Sequence, residues 1–164
     1  MAGHFPLYFR NFIFGVEDSL VSTVGLLAGI AIGGVSRETI FLTGAVVILV
    51  EAFSMAAGSF LVESSMEEYT HKKDKNERPI WGGLVMFFSY VIAGFIPLAS
   101  YIIFVENTTA LYMSALTSLG ALFILGLIGG TLSHVNMVRR GVRMLLVGGI
   151  AIGAGVAAGL AFSV

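Results

Sequence analysis

The segment Ile40–Val62 reads IFLTGAVVILVEAFSMAAGSFLV and carries one charged side chain, Glu51, near its centre. An apolar stretch of roughly 20 residues is long enough to cross the hydrocarbon core of a bilayer as a helix. A charged side chain at mid-bilayer costs about 2.5–3.5 kcal/mol on insertion scales, and such residues usually mark a substrate or ion pathway. The segment therefore predicts a transmembrane helix with a functional acid inside the membrane.

The rest of the chain has the same membrane character. Of its 164 residues, 57% are apolar and only 12% are charged, and that charged share is about half of what soluble domains carry. We therefore predict an all-α integral membrane protein with a single domain over residues 1–164. The predicted spans are residues 12–35, 40–62, 81–104, 111–132 and 142–163, with a short cytoplasmic loop at residues 63–79.

Charge and motif content exclude several classes of function. The net charge of −1 argues against a nucleic-acid partner, and the absence of cysteine excludes disulfides and thiolate metal sites. The sequence contains no nucleotide-binding loop, no H-E-x-x-H motif and no evident nucleophile–base pair. We expect neither an enzyme nor an ATP-driven pump, and no permanently bound cofactor.

Basic residues accumulate on one side of a chain that crosses the membrane five times. Because positive residues mark short cytoplasmic loops, we expect a cytoplasmic N-terminus and an outside or lumenal C-terminus. The N-terminal residues contain no separate apolar region followed by a small-residue cleavage site, so we expect no cleaved signal peptide. Such a short chain fits a prokaryotic inner membrane best, with a vacuolar membrane as the alternative. The basic residues on this side are Arg10, Lys72, Lys73, Lys75, Arg78, Arg139, Arg140 and Arg143.

A polar track runs along segment two and its continuation at i+4 spacing. Adjacent members stack on one helix face, although strict i+4 spacing drifts by about 40° per step. A solvated helix end explains Glu67, Glu68 and His71 equally well. The track consists of Glu51, Met55, Ser59, Glu63, Glu67 and His71. The candidates for metal capture at its cytoplasmic mouth are Glu63, Glu67, Glu68 and His71.

The acids of segments one and two, together with Met55, suggest a path for a divalent transition metal. Asp18 also has an explanation without a role in a pathway, because the helix macrodipole favours acids near a helix N-terminus. A mixed carboxylate and thioether set favours Fe²⁺, Mn²⁺ or Co²⁺ over Mg²⁺ or Ca²⁺. One protomer offers too few ligands for six-coordination, but a two-fold dimer would double Asp18, Glu51 and Met55 about one axis. The carboxylates could exchange metal for protons, because metal binding requires their deprotonation.

Gly25, Gly29 and Gly33 form a double G-x-x-x-G ladder in segment one. Small residues let membrane helices approach closely, where dispersion contacts drive association. Packing within the chain and packing between copies are both open. The ladder continues the stripe that carries Asp18 and Ser22, so we take it as the candidate for dimer packing.

Four short motifs, in order over nearly the whole chain, are similar to those of one known family. They are FGVEDSLVST at Phe14–Thr23, LTG at Leu42–Gly44 followed by SMAAG at Ser54–Gly58, GFIP at Gly94–Pro97, and RGVRMLL at Arg140–Leu146. They resemble the vacuolar iron transporter family of divalent-metal/proton antiporters. The resemblance implies a five-helix dimer with its metal path at the subunit interface. It also implies transport of Fe²⁺, often Mn²⁺, out of the cytosol in exchange for protons.

Residue by residue, the resemblance matches Asp18 to the family's pathway aspartate and Met55 to its pathway methionine. The chain departs from the pattern at Asn11 and Val47, where family members carry acids, and Glu51 lies one turn beyond Val47. The long cytoplasmic metal-binding domain of many members is reduced here to the short connection after segment two. The polar residues that we expect to support the pathway are Asn11, Glu17, Ser22 and Ser59.

Two other functions remain open on the sequence alone. One is a proton-coupled exporter of organic cations with Glu51 as the shared acid, although only Phe53 is an aromatic neighbour in sequence. The other is a structural membrane protein in which Glu51 is protonated or paired with a basic residue. For the favoured function the partners are membrane lipid, the transported metal, protons as counter-ions and a second copy of the chain.

Overall fold

The computed structural model describes residues 5–70 and 78–162 of the chain. This part contains five α-helices and no strand, and every helix is long and apolar enough to cross a membrane. The predicted all-α fold with five spans is therefore confirmed. The helices are α1 Phe5–Ile32, α2 Arg37–Thr70, α3 Pro79–Ile103, α4 Asn107–Leu132 and α5 Met137–Phe162.

The early start of α1 changes the setting of Asp18. The helix begins at Phe5, seven residues before the predicted span. Asp18 consequently lies several turns inside the helix, where the macrodipole no longer favours an acid. The helix macrodipole therefore does not explain the position of this carboxyl group.

The predicted loop at residues 63–79 is wrong in its first half, because α2 continues to Thr70. Its continuation contains neither glycine nor proline, and glutamate and methionine are good helix formers. The next helix begins at Pro79, where proline is well tolerated because the first helical N–H has no partner within the helix. Residues 71–77, and with them His71, lie outside the part that the structure describes.

Helix α1 packs against all four other helices, α3 packs against α1, α2 and α4, and α5 packs against α1 and α4. Both buried tyrosines of the described core, Tyr90 and Tyr101, belong to α3. The outer faces of the helices are strongly apolar, as with Phe53 (70% exposed) and Ile150 (72% exposed). Apolar exposure on this scale fits contact with lipid rather than water.

The glycine ladder of α1 packs against α5 of the same chain. A Cβ atom at Gly25 would lie 2.9 Å from the carbonyl oxygen of Ala151, and one at Gly29 would lie 2.7 Å from that of Gly155. For Gly25 and Gly29 the structure therefore shows packing within the chain, in place of the dimer packing that we predicted. A Cβ atom at Gly33 would meet only its own helix, so its role in a dimer stays a prediction.

Replacement of Gly155 by alanine should destabilise the bundle. The new methyl group would overlap the backbone of Gly25, and overpacking of a tight contact typically costs about 1–3 kcal/mol. The measurement is the thermal midpoint of the detergent-purified protein, followed by size exclusion after heating. Gly153→Ala is the matched control, since its methyl group would have nothing within 4 Å. Equal midpoints for the two variants would contradict the close α1–α5 contact.

Candidate functional site

Two clefts lie along the α1–α2 seam, the line where these two helices meet. Both helices pack more extensively against α3 than against each other, which leaves the seam open. The first, the Glu51 groove, has a volume of about 650 Å³ and is lined by Ser22, Val47 and Glu51, with the glycines of α1 and the end of α5 beside them. The second, the Met55 cleft, has a volume of about 700 Å³.

Glu51 is held by hydrogen bonds from two other helices. Its Oε2 atom accepts one bond from Ser22 Oγ of α1 at 3.1 Å and another from the Tyr90 hydroxyl of α3. The two donor oxygens are themselves 2.7 Å apart. Both bonds use Oε2, so Oε1 has no hydrogen-bond partner among the described residues and is free to bind a cation.

Glu51 has no basic partner in the described part of the chain, where the ion pair found joins Arg10 to Glu63. Its carboxylate faces the groove that Val47 also lines. Val47 occupies the position at which the resemblance places an acid, so Glu51 reaches the same groove from one turn further along α2. The shift therefore changes the depth of the acid but leaves it on the same groove.

Tyr90 is a site residue that the sequence analysis missed. It is fully buried, and α1 fixes its backbone because Ser19 Oγ donates to the Tyr90 carbonyl oxygen at 2.7 Å. Tyrosines of membrane helices usually lie at the interface. The position of a tyrosine midway along segment three could therefore have indicated a functional role. That its hydroxyl contacts Glu51 follows only from the rotation of α3 in the structure.

Asp18 lies between the two clefts on α1 and is half-buried. One turn further along, Ser22 lines the Glu51 groove, whereas Phe14 and Asn11 line the Met55 cleft in the other direction. The α1–α2 seam thus carries one predicted acid on each of its helices, Asp18 on α1 and Glu51 on α2.

The Met55 cleft gathers several of the predicted pathway residues. Met55 and Ser59 line it from α2, and Asn11 Nδ2 of α1 donates to Ser59 Oγ at 2.9 Å. Arg10 and Glu63, which also line it, form an ion pair between α1 and α2. The cleft therefore presents a thioether and several neutral oxygens, with a charged pair at one end.

Other predicted residues lie apart from the seam. Glu17 lines a third cleft beside Arg140 and Arg143, on the side of α1 that faces α5. Glu67 is half-buried and Glu68 is exposed, both in the last turns of α2. Among the predicted residues that the structure describes, three acids thus lie apart from the seam: Glu17, Glu67 and Glu68.

A single protomer offers an incomplete set of metal ligands. Within residues 5–70 and 78–162, no group of three or more His, Cys, Asp or Glu side chains is close enough to hold a metal ion. The seam offers the carboxylates of Asp18 and Glu51, the Met55 sulfur and the hydroxyls of Ser22 and Ser59. These donors are spread along the two helices rather than gathered at one point.

Comparison with known proteins identifies the family of the chain. The VIT family matches the chain over residues 9–79 and 65–160, which include the whole α1–α2 seam and all but the ends of the bundle. No curated protein is similar enough to the chain to count as a match. The chain therefore belongs to the VIT family, whose function is metal-ion transport across membranes.

Proposed function

We propose that the protein is a homodimeric secondary transporter that exports Fe²⁺ or Mn²⁺ from the cytosol in exchange for protons. The observation that carries the proposal is the Glu51 carboxylate, which faces an open groove midway along a membrane helix. One of its oxygens is held by Ser22 and Tyr90, and the other is available to a cation. Ionisable side chains inside a membrane mark ion pathways by default.

The α1–α2 seam supplies the route. From the end where Arg10 pairs with Glu63, a metal ion would first meet the Met55 cleft, then Asp18, and then the Glu51 groove. The positive-inside rule puts the Arg10 end in the cytoplasm, so this order is the order of export. Sulfur and carboxylate donors in succession favour a transition metal over Mg²⁺ or Ca²⁺.

A second copy of the chain would complete the ligand set. The Glu51 groove is open between α2 and α5, and a carboxylate exposed to lipid has no partner there. A two-fold axis along the seam would cover the groove and double Asp18, Glu51 and Met55. Because Gly25 and Gly29 already contact α5, the interface would use exposed apolar residues of α2 that flank the seam, including Val50 and Val62.

Proton exchange follows from the same carboxylates. Metal binding requires their ionised form, so an ion that binds Asp18 and Glu51 displaces protons from them. Protons that return from the other side of the membrane would in turn release the metal. Tyr90 and Ser22 keep the Glu51 carboxylate in one orientation throughout, so that its second oxygen stays directed to the groove.

Asp18→Asn and Glu51→Gln should each reduce metal flux to the level of empty liposomes, because each removes an ionisable ligand from the seam. The measurement uses the full chain in liposomes that contain a metal-sensitive dye, with Fe²⁺ or Mn²⁺ added in the presence and absence of a pH gradient. Glu106→Gln is the matched control, since Glu106 is an exposed acid beyond the end of α3. It should transport normally.

Three results would contradict the proposed transport. Unchanged flux in both seam variants would exclude the pathway through Asp18 and Glu51. Metal flux that tetraphenylphosphonium abolishes by competition would indicate the organic-cation exporter. A folded wild type that neither binds nor carries metal would point to the structural protein.

Tyr90→Phe should lower metal flux at subsaturating metal by about 10–100-fold, the usual effect of losing a group that orients a metal ligand. The change removes the hydroxyl that donates to Glu51 and keeps the ring that fills the core. Tyr112→Phe serves as the control, since Tyr112 is 65% exposed. If both variants carried metal as fast as the wild type, Tyr90 would not position Glu51.

A further inference from the structure

The third cleft, which lies beside the start of α5, is distinct from the α1–α2 seam. It has a volume of about 560 Å³, and Arg139, Arg140, Arg143 and Asn136 provide most of its polar lining. Glu17 is the one acid that lines it. Three guanidinium groups against one carboxylate leave the cleft strongly basic, so the ligand that complements it is an anion.

Arg140 is already fixed in position within this cleft. Its Nη1 atom donates to the Gly129 carbonyl oxygen at 3.1 Å and to Ser133 Oγ at 3.0 Å. Gly129 makes room for it, since a Cβ atom there would lie 3.1 Å from the guanidinium carbon. A guanidinium has five N–H donors in a planar fork, so donors remain for an anion.

Arg139 and Arg143 form no ion pair within the described part of the chain. They lie four residues apart on α5 and therefore share a helix face, as Arg140 and Arg143 do at a spacing of three. Like charges at these spacings repel each other. An anion between them would relieve the repulsion and form charge-assisted hydrogen bonds, for which arginine and phosphate have matching geometry.

The length of α5 puts the cleft at the level where the phosphate groups of a bilayer would lie. Helix α5 has 26 residues, which gives it a length of about 39 Å against a hydrocarbon core of about 30 Å. The basic residues occupy its first two turns, and the remainder of the helix is apolar. Met144 and Val147 add an apolar wall to the cleft, and Leu146 is exposed to lipid nearby.

We propose that this arginine cleft binds a phosphate group, and that its source is the headgroup of an anionic phospholipid. The guanidinium groups recognise the phosphate, and the apolar wall accommodates the start of an acyl chain. Basic pockets between membrane helices at a headgroup level bind anionic lipids by this combination. The cleft has no role in the proposed metal path, so lipid binding and metal transport can fail independently.

The test is native mass spectrometry of the full chain in detergent, titrated with dioleoylphosphatidylglycerol or with dioleoylphosphatidylcholine. The wild type should prefer the anionic lipid. The double variant Arg139→Gln/Arg143→Gln should bind it roughly thirtyfold more weakly, the effect of losing two charges at a membrane surface. Arg140 is left intact because it also anchors the turn between α4 and α5.

Two controls make the outcome decisive. Arg139→Lys/Arg143→Lys keeps both charges and should retain most of the binding. Arg78→Gln removes one exposed basic residue outside the cleft and should bind as the wild type does. Unchanged binding by the glutamine double variant would overturn the proposal, and so would an equal loss in Arg78→Gln.

A competition with inorganic phosphate distinguishes the two sources of the phosphate group. Lipid binding that persists at millimolar phosphate supports the headgroup. Binding of phosphate without any preference between the two lipids would overturn the lipid assignment and identify a soluble phosphate compound as the ligand. Each variant is first checked for an unchanged elution volume, so that a loss of binding is read only from folded protein.

Discussion

The hydrogen bonds to Glu51 are the constraint on which the arrangement of the first three helices depends. In hydrocarbon an ionisable group without partners is costly, so its neighbours must offer donors. Ser22 and Tyr90 supply them, and their own hydroxyls are in contact. Because these side chains come from α1, α2 and α3, satisfying one carboxylate fixes how each helix is rotated about its axis. Ser19 strengthens the same arrangement through the Tyr90 carbonyl group.

Close packing between α1 and α5 determines what remains open. Gly25 and Gly29 bring the backbone of α5 against α1, and no bulkier residue could occupy these positions without moving one helix. With α5 held against α1 and α4, none of the five described helices covers the groove between α2 and α5. The glycines thereby leave Glu51 accessible, although they contribute no ligand. Access to the acid and stability of the bundle consequently depend on the same glycines of α1.

The features that the sequence predicts well are those that a single segment determines. Span length follows from bilayer thickness, and the position of Glu51 midway along a span follows from its place in the apolar stretch. Features that depend on two segments were not predictable in the same way. The ladder of α1 indicated a close approach but not its partner, which proved to be α5. Likewise, Tyr90 reaches Glu51 only because of the way α3 is rotated in the bundle. Helix α2 extends beyond its predicted span because good helix formers continue past the apolar stretch.

Glu17 and Asp18 illustrate how the helix separates adjacent acids. Successive residues of an α-helix point about 100° apart, and here that angle directs Glu17 to the arginine cleft while Asp18 stays on the side of the α1–α2 seam, between Phe14 and Ser22. The arginine cleft and the proposed metal path therefore share helix α1 but no ligand.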